Sequence, residues 1–377
     1  MKTIKDIDLN NKRVIIRFDY NVPINNGKIL DDTRIVKSLK TLNYVLERAS
    51  KVIILSHLGR IKTDSDKEKN SLRIVCDYLS KLINRNIAFC EYKNEDEIIK
   101  NNDIIMMENT RFFDLDNKKE SNSDVELSKY FASFGDVFIN DAFGVSHREN
   151  ASNVGISKFL PSCNGFLIEE EVNNLNKLTT NIKRPYIIIM GGKKVSDKIK
   201  VIDNLINKVD KLLIGGALMY TFLKAKNIKV GSSFVEEENI IYAKELLDKY
   251  SEKIVLPVDN YVLSNNKKVL KNVNEILDDD IGLDVGNKTI KLFKKELDNA
   301  ETIFYNGALG AFEDGFEYGT KEISHILNEL DSIVVIGGGD TVNSINKYQK
   351  DNHFIISTGG GASLKYLEGD RLQGVIE

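Results

Sequence analysis

Short apolar runs alternate along the chain with stretches whose apolar positions recur every three or four residues. In the first half, the runs at 13–18, 51–56, 103–107 and 136–140 predict buried strands. Between the first two, Ile35, Val36, Leu39, Leu42, Val45 and Leu46 fall at helical spacing and predict a helix over 33–49. Residues 72–83 repeat that pattern. The second half carries strand-like runs at 186–190, 211–214, 253–257, 302–305, 332–336 and 353–357. The stretch 165–180 joins the halves, with Leu167, Ile168, Val172, Leu175 and Leu178 at helical spacing. Strands that alternate with helices imply mostly parallel sheets covered on both faces. The expected architecture is two α/β domains connected by a helix. The charged stretch 62–70 reads as a solvated loop.

In open parallel sheets, ligands bind beyond the carboxyl ends of the strands. The unusual polar groups of this chain fall there. In the first half they are Asp19 and Asn21, His57 and Arg60, Glu108 and Arg111, then Asp141, His147 and Arg148. With Arg34, this half gathers arginines, whose planar fork matches carboxylate and phosphate oxygens. In the second half the strand ends carry Gly191-Gly192, Gly215-Gly216, Asn306-Gly307, Gly337-Gly338-Gly339-Asp340 and Thr358-Gly359-Gly360-Gly361. Glycines let backbone approach a ligand closely. One half therefore suits a small anionic substrate and the other a nucleotide.

The stretch Tyr186 to Lys198 is the densest of these. An apolar run enters two glycines, then lysines, then a helical pattern. Free N–H groups at a helix start favour an anion. Lys194 and Lys198, four apart, would share a helix face and point at it. The plain alternative is a tight strand–helix turn with solvated lysines. Asp340 reads both as an N-cap for a helix over 342–348 and as a carboxylate for a nucleotide-bound metal. His57 reads equally as a structural histidine or a ligand; His325 and His353 read as structural. Two nucleotide fingerprints are absent. No G-x-G-x-x-G follows a strand, which disfavours a dinucleotide enzyme. The run Gly282 to Thr289 has Asn287, not glycine, before its lysine, so it is no Walker loop. It reads as a turn capped by Thr289.

Composition narrows the class. The chain has 377 residues, 42% hydrophobic, enough for two cores. A net charge of −3 argues against a dedicated nucleic-acid binder. Cys76, Cys90 and Cys163 have no metal-like spacing and fit a reducing compartment. No run reaches the length of a membrane span and the start lacks a signal core, so a cytoplasmic protein is expected.

The motifs, taken in order, resemble those of the phosphoglycerate kinase family. They are Arg17-Phe-Asp-Tyr-Asn-Val-Pro23, Asp31-Asp-Thr-Arg-Ile35, Ser56-His-Leu-Gly-Arg60, Glu108-Asn-Thr-Arg-Phe112 and Asn140-Asp-Ala-Phe-Gly144. Gly191-Gly-Lys-Lys-Val-Ser-Asp-Lys198, Gly337-Gly-Gly-Asp-Thr341 and Ser357-Thr-Gly-Gly-Gly-Ala-Ser363 follow in the second half. The resemblance spans essentially the whole chain. It implies two Rossmann-like three-layer α/β/α domains with mostly parallel sheets, joined by a helix and hinge. The spans would be 1–164 for phosphoglycerate, 165–180 for the helix, 181–363 for nucleotide, and 364–377 returning to the first domain. The implied reaction is reversible phosphoryl transfer between 1,3-bisphosphoglycerate/ADP and 3-phosphoglycerate/ATP, with Mg²⁺, by a monomer that closes its hinge.

By the same resemblance, Asp19, Asn21, Arg34, His57, Arg60, Arg111 and Arg148 would hold phosphoglycerate. Arg34 and Lys194 would act on the transferring group. Lys194, Lys198, Gly216, Ala217, Gly282, Leu283, Asn306, Glu313, Gly338, Gly339, Asp340 and Thr341 would bind nucleotide, with Asp340 taking Mg²⁺ through it. The chain departs from the family pattern at Ile61, Asn287 and Ala308, where proline is usual, at Tyr20 in place of phenylalanine, and at Lys193 in place of alanine. Lys193 adds a cation beside Lys194, either for nucleotide phosphate or for solvent. A nucleotide-binding protein without turnover is the competing class; the intact set Arg34, Lys194 and Asp340 favours an enzyme.

Overall fold

The computed structural model describes residues 1–350 and 354–377. The chain divides into two units, Met1–Asn173 with Arg371–Glu377, and Asn174–Asp370. The terminal segment counts with the first unit from Arg371 onward, where the expected span began at 364.

The sheet of the first unit is built from β1 (Arg13–Phe18), β2 (Lys51–Leu55), β3 (Ala88–Cys90), β4 (Ile104–Met107), β5 (Val137–Asp141) and β6 (Ser162–Asn164). All its pairings are parallel, in the order β3-β4-β2-β1-β5-β6. Helices α1 (Thr33–Leu46), α2 (Arg73–Leu82), α3 (Glu95–Asn101) and α4 (Val125–Ala132) lie between strands. Successive strand residues point to opposite faces. Val14, Ile16 and Phe18 join Ile35, Leu42, Val75 and Leu79 in one core. Ile15 joins Phe131 and Phe138 in the other. With both faces covered, the strands read as unbroken apolar runs. The same alternation sends Arg17 to the face of Ile15, where it is 1% exposed.

Helix α5 (Phe166–Thr179) follows β6, and the boundary between the units falls within it. Its first N–H groups are satisfied from the first unit. Asp141 Oδ1 accepts from Leu167 (2.9 Å) and Ile168 (3.1 Å), and Thr41 Oγ1 accepts from Phe166 (2.9 Å).

The second unit holds β7 (Tyr186–Met190), β8 (Lys211–Ile214), β9 (Ile254–Val255), β10 (Asp259–Ser264), β11 (Lys267–Asn272), β12 (Ile281–Val285), β13 (Thr302–Asn306), β14 (Ile333–Gly337) and β15 (Ile355–Ile356). Six form a parallel sheet in the order β9-β8-β7-β13-β14-β15. Helices α6 (Ile199–Leu205), α7 (Met219–Ala225), α8 (Ile240–Lys249), α9 (Asn287–Leu297), α10 (Tyr318–Asn328), α11 (Gly339–Ile345) and α12 (Gly361–Leu367) complete it. His353, read as structural and as the start of a strand, lies outside the described residues.

Several local expectations are corrected. β10, β11 and β12 form an antiparallel sheet in the order β11-β10-β12, of which the apolar pattern gave no sign. Its hairpin turns on Asn265 and Asn266, both at positive φ, a residue pair suited to a tight hairpin. The run 282–289 is a strand–helix junction, not a turn capped by Thr289. Thr289 lies inside α9, and Asp259 anchors the helix start by accepting from the N–H of Lys288 (2.9 Å) and Thr289 (2.7 Å). Within 62–70, Ser65–Lys69 forms one short solvated helix.

The two parallel sheets share one feature that positions the sites. The first strand of each, β1 or β7, has its successor on one side and a later strand, β5 or β13, on the other. Connections leave such a point in opposite directions and open a crevice beyond the strand ends.

Candidate active site

Beyond β1 and β5 the crevice is furnished by side chains. Arg34, at the start of α1, donates through Nη1 to Asp19 Oδ2 at 2.6 Å. A Cβ at Gly144 would stand 2.4 Å from that oxygen, so the loop after β5 must carry glycine for Asp19 to sit there. Asn21 Oδ1 accepts from Gly59 N (2.8 Å), and Arg111 Nη1 donates to Gly59 O (3.2 Å). The turn that carries His57 and Arg60 is thus tied to the loops after β1 and β4. Arg148 donates through Nε to His147 Nε2 (3.0 Å).

His57 is buried, and its pKa lies well below the ordinary value. Burial is the main cause, with Arg17, Arg111, Arg34 and Arg148 adding to it. The ring is therefore neutral. Arg17 Nη2 stands 3.2 Å from His57 Nδ1. A guanidinium only donates, so Nδ1 accepts and the proton is on Nε2. The 3.9 Å approach of Asp19 to Nδ1 is then no ion pair. The arginine heads crowd one another as well: Arg111 is pushed down first by burial, then by Arg148, with Arg60 adding to the effect. Such a cluster favours a multiply charged anion.

Beneath this cluster lies a charged pair that the sequence reading did not single out. Arg17 Nε donates to Ser152 Oγ (2.9 Å), and Ser152 donates in turn to Glu120. Burial lowers the Arg17 pKa and raises that of Glu120, while each offsets the shift of the other. Two of the strand-end acids serve helices. Glu108 accepts from Ser71 Oγ (2.6 Å) and Leu72 N (2.8 Å) at the start of α2, and from Asn109 N (2.7 Å) in its own loop, and Asp141 anchors α5.

Beyond β7 and β13 the crevice is made of backbone. A Cβ at Gly191 would meet the carbonyl oxygens of Gly307 and Ala308 at 2.3 Å, and one at Gly216 would meet Gly192 N and O at 2.5 Å. Gly192 N donates to Ala308 O (2.8 Å), and Gly307 N to Thr341 Oγ1 (2.6 Å). Three strand-end turns are packed main chain on main chain, which no other residue permits.

A cavity of about 1110 Å³ opens over these turns. It is lined by Lys194, Lys198, Gly216, Ala217, Gly282, Leu283, Asn306, Glu313, Gly338, Gly339, Asp340 and Thr341, which is every residue expected at a nucleotide. Lys198 donates to Asn306 Oδ1, whose Nδ2 donates to Gly337 O at 2.7 Å. Burial lowers the Lys198 pKa, with Asp197 and Asp340 opposing. Asp340 is exposed at the second position of α11, behind Gly338 as N-cap, so the N-cap expectation for Asp340 is corrected.

The helix expected to carry both lysines is corrected too. Gly192 at φ +96° turns the chain, and α6 begins only at Ile199, behind Lys198. Lys194 and Lys198 reach the cavity from a loop. Phe234, Lys365 and Glu368 also line it. The sequence reading missed them because Phe234 stands on an irregular loop, Lys365 on α12 after a glycine run and Glu368 at the end of that helix.

Among the described residues, no three His, Cys, Asp or Glu gather as a metal cluster. The description of the family named phosphoglycerate kinase matches residues 4–370. The phosphoglycerate kinase of Fusobacterium nucleatum is 47% identical over 390 residues, covering 99% of this chain and 98% of that one. That of Enterococcus faecalis is 47% identical over 388 residues, with the same coverage. Among solved structures, phosphoglycerate kinase from Coxiella burnetii superposes with a TM-score of 0.90 at 35% identity, covering 99% and 97% of the two chains.

Proposed function

The chain belongs to the phosphoglycerate kinase family, and from that premise we propose how its residues divide the reaction. The activity is that of a phosphotransferase of glycolysis. The first unit takes 3-phosphoglycerate or 1,3-bisphosphoglycerate. Arg34, Arg60, Arg111 and Arg148 meet its phosphate and carboxylate oxygens, His57 donates from Nε2, and Asp19 and Asn21 hold the loops in register. The second unit takes ADP or ATP. Lys198, Asn306 and the backbone at Gly338 and Gly339 face its phosphates; Gly216, Ala217, Gly282 and Leu283 face the nucleoside, with Glu313 at its ribose.

The metal expectation fits the donor set. Mg²⁺ keeps water and takes substrate phosphate oxygens, so it needs one or two protein carboxylates and no cage. Asp340, near Lys198, would hold it through the nucleotide. Bound there, it would neutralise charge on the phosphates.

Phosphoryl transfer needs in-line positioning and charge stabilisation, with little covalent work from the protein. Arg34 and Lys194 supply that charge to the transferring group. Because we assign them to different units, transfer requires closure of the chain around both substrates, which also excludes water. Scattering should show a smaller radius of gyration with both substrates than with neither; an unchanged radius would remove closure from the mechanism. We also place the chain in the cytoplasm, as a monomer.

The observation that carries this reading is the backbone-on-backbone turn cluster beneath Lys198 and Asp340, which leaves room for phosphates at the switch point. The deciding experiment is ATP-dependent phosphorylation of 3-phosphoglycerate, coupled to glyceraldehyde-3-phosphate dehydrogenase and followed by loss of NADH. Turnover abolished by EDTA is the expected result. ATP binding without turnover would leave a non-catalytic nucleotide binder.

A further inference from the structure

Glu120 is buried although it stands in irregular chain. Its carboxyl accepts from Thr110 Oγ1 (3.1 Å) and Ser152 N (3.0 Å), and from Ser152 Oγ as well. An ionised carboxyl only accepts, so it takes the single hydroxyl proton of Ser152 and leaves that oxygen a lone pair. Arg17 Nε donates to this oxygen at 2.9 Å. Ser152 thereby aims the guanidinium plane, and Nη2 comes to stand 3.2 Å from His57 Nδ1.

Two groups compete for His57 Nδ1. Asp19 Oδ1 stands 3.9 Å from it and, as an acceptor, favours a proton there. Arg17 Nη2 is a donor and forbids one. A neutral imidazole has one ring proton, so the neighbour that wins Nδ1 also decides what Nε2 presents. With Arg17 aimed, Nε2 carries the proton and donates. With Arg17 loose, the proton passes to Nδ1 beside Asp19, and Nε2 turns a lone pair toward an anion. The same carboxyl reaches the other cations of the site. Thr110 precedes Arg111. Ser152 lies in a single π turn, Ala151–Gly155, whose Asn153 donates through Nδ2 to Arg148 O (3.0 Å). Such turns recur at functional sites.

We propose that Glu120 is a positioning residue for the phosphoglycerate site: through Ser152 and Arg17 it keeps His57 in the form that donates from Nε2. The proposal rests on the substrate reading above and extends it to a carboxyl beneath the site. A merely structural role would leave the His57 proton where it is.

The test uses Glu120→Gln, which keeps the size but loses the charge that orients Ser152. Ser152→Ala cuts the same chain of contacts and serves where the first variant does not fold. Two quantities are read on the whole chain: KM for 3-phosphoglycerate, and the nitrogen NMR shifts of the His57 ring, which separate a protonated ring nitrogen from a bare one. The chain has four histidines, and loss of signal in His57→Gln assigns this one. In wild type the proton is expected on Nε2. In the variants it should move to Nδ1, and KM should rise about tenfold, the worth of one hydrogen bond to a charged group, with kcat and the KM for ATP unchanged. A rise in KM with the proton still on Nε2 overturns the proposal and leaves Glu120 a structural support. An unchanged KM overturns it as well. A wild type that binds no 3-phosphoglycerate sinks the substrate reading itself, whereas binding that the variants leave intact sinks only the role of Glu120.

Discussion

The two parallel sheets open a crevice at the same topological point but furnish it differently. Beyond β1 and β5 stand long charged side chains, with Arg34 against Asp19 and His57 held neutral under four arginines. Beyond β7 and β13 stands main chain, with Gly191 against Gly307 and Gly216 against Gly192. The difference follows from the ligand each is suited to. A small anion has few atoms, so recognition must come from directed, multiply donating side chains. A nucleotide has a chain of phosphates and a flat base, so close main chain and a wide apolar wall serve it. The side-chain site needs a buried counter-charge beneath it, which Glu120 provides. The backbone site needs no such support and needs glycine.

The largest expected effect breaks the contrast at Lys194, one long cation in the backbone site. Lys194→Ala should lower kcat by ~10²–10³, as loss of a donor to developing charge does, with little change in KM. Near-native turnover would remove it from the transferring group. Next comes the support of the side-chain site. Glu120→Ala leaves Arg17 buried without its strongest opposing charge, and should cost ~3 kcal/mol in urea unfolding. ADP affinity should stay unchanged. A cost below ~1 kcal/mol would mean that the neutral acceptors Ser152 Oγ, Phe18 O and His57 Nδ1 satisfy Arg17. Smaller still is Gly216→Ala, at φ +64° with no room for a Cβ. Strain of ~1–3 kcal/mol is expected there, and it should weaken ADP binding while leaving 3-phosphoglycerate binding intact. Equal weakening of both would undo the division of labour.

How much of this was legible in the chain depends on periodicity. Strand ends were readable because buried apolar runs have sharp borders, and Asp19, His57, Arg111 and Asp340 stand just past them. Arg17 was readable in principle, as a charge inside an apolar run. Its partner Glu120 lies in irregular chain with no period to place it, and so does Phe234. The helix expected over Lys194 and Lys198 failed because spacing records only that two residues are four apart, while the chain, turned at Gly192, stays in a loop until Ile199. The antiparallel sheet was hidden by lysines at 267, 268 and 271 on an edge strand, which needs no buried face. Asn265-Asn266 was its one signal.

The last comparison sets one buried carboxyl of each unit side by side. Burial pushes Asp141 up to about 7, and does the same to Asp284. Asp141 anchors the start of α5, while Asp284 accepts from Val285 N (2.8 Å) and Gly319 N (3.2 Å). Both carboxyls would titrate near 4 in the unfolded chain. Between about pH 4 and 7 the native state therefore keeps protons that the unfolded state has lost. Their contribution to stability is fully present below about pH 4 and is lost as pH rises toward 7. Asn cannot titrate. The stability of Asp284→Asn relative to wild type should accordingly rise across that window, by up to ~4 kcal/mol, and level off above it. Other carboxylates titrate in both proteins and cancel from the difference. Asp141→Asn should give the same slope, although its amide nitrogen would take the place of Oδ2, which has no hydrogen-bond partner; that cost is constant with pH and shifts the curve without tilting it. A flat difference for either variant in urea unfolding from pH 4 to 8 would mean that the carboxyl is already ionised in the folded chain. The N–H groups it accepts from would then outweigh its burial.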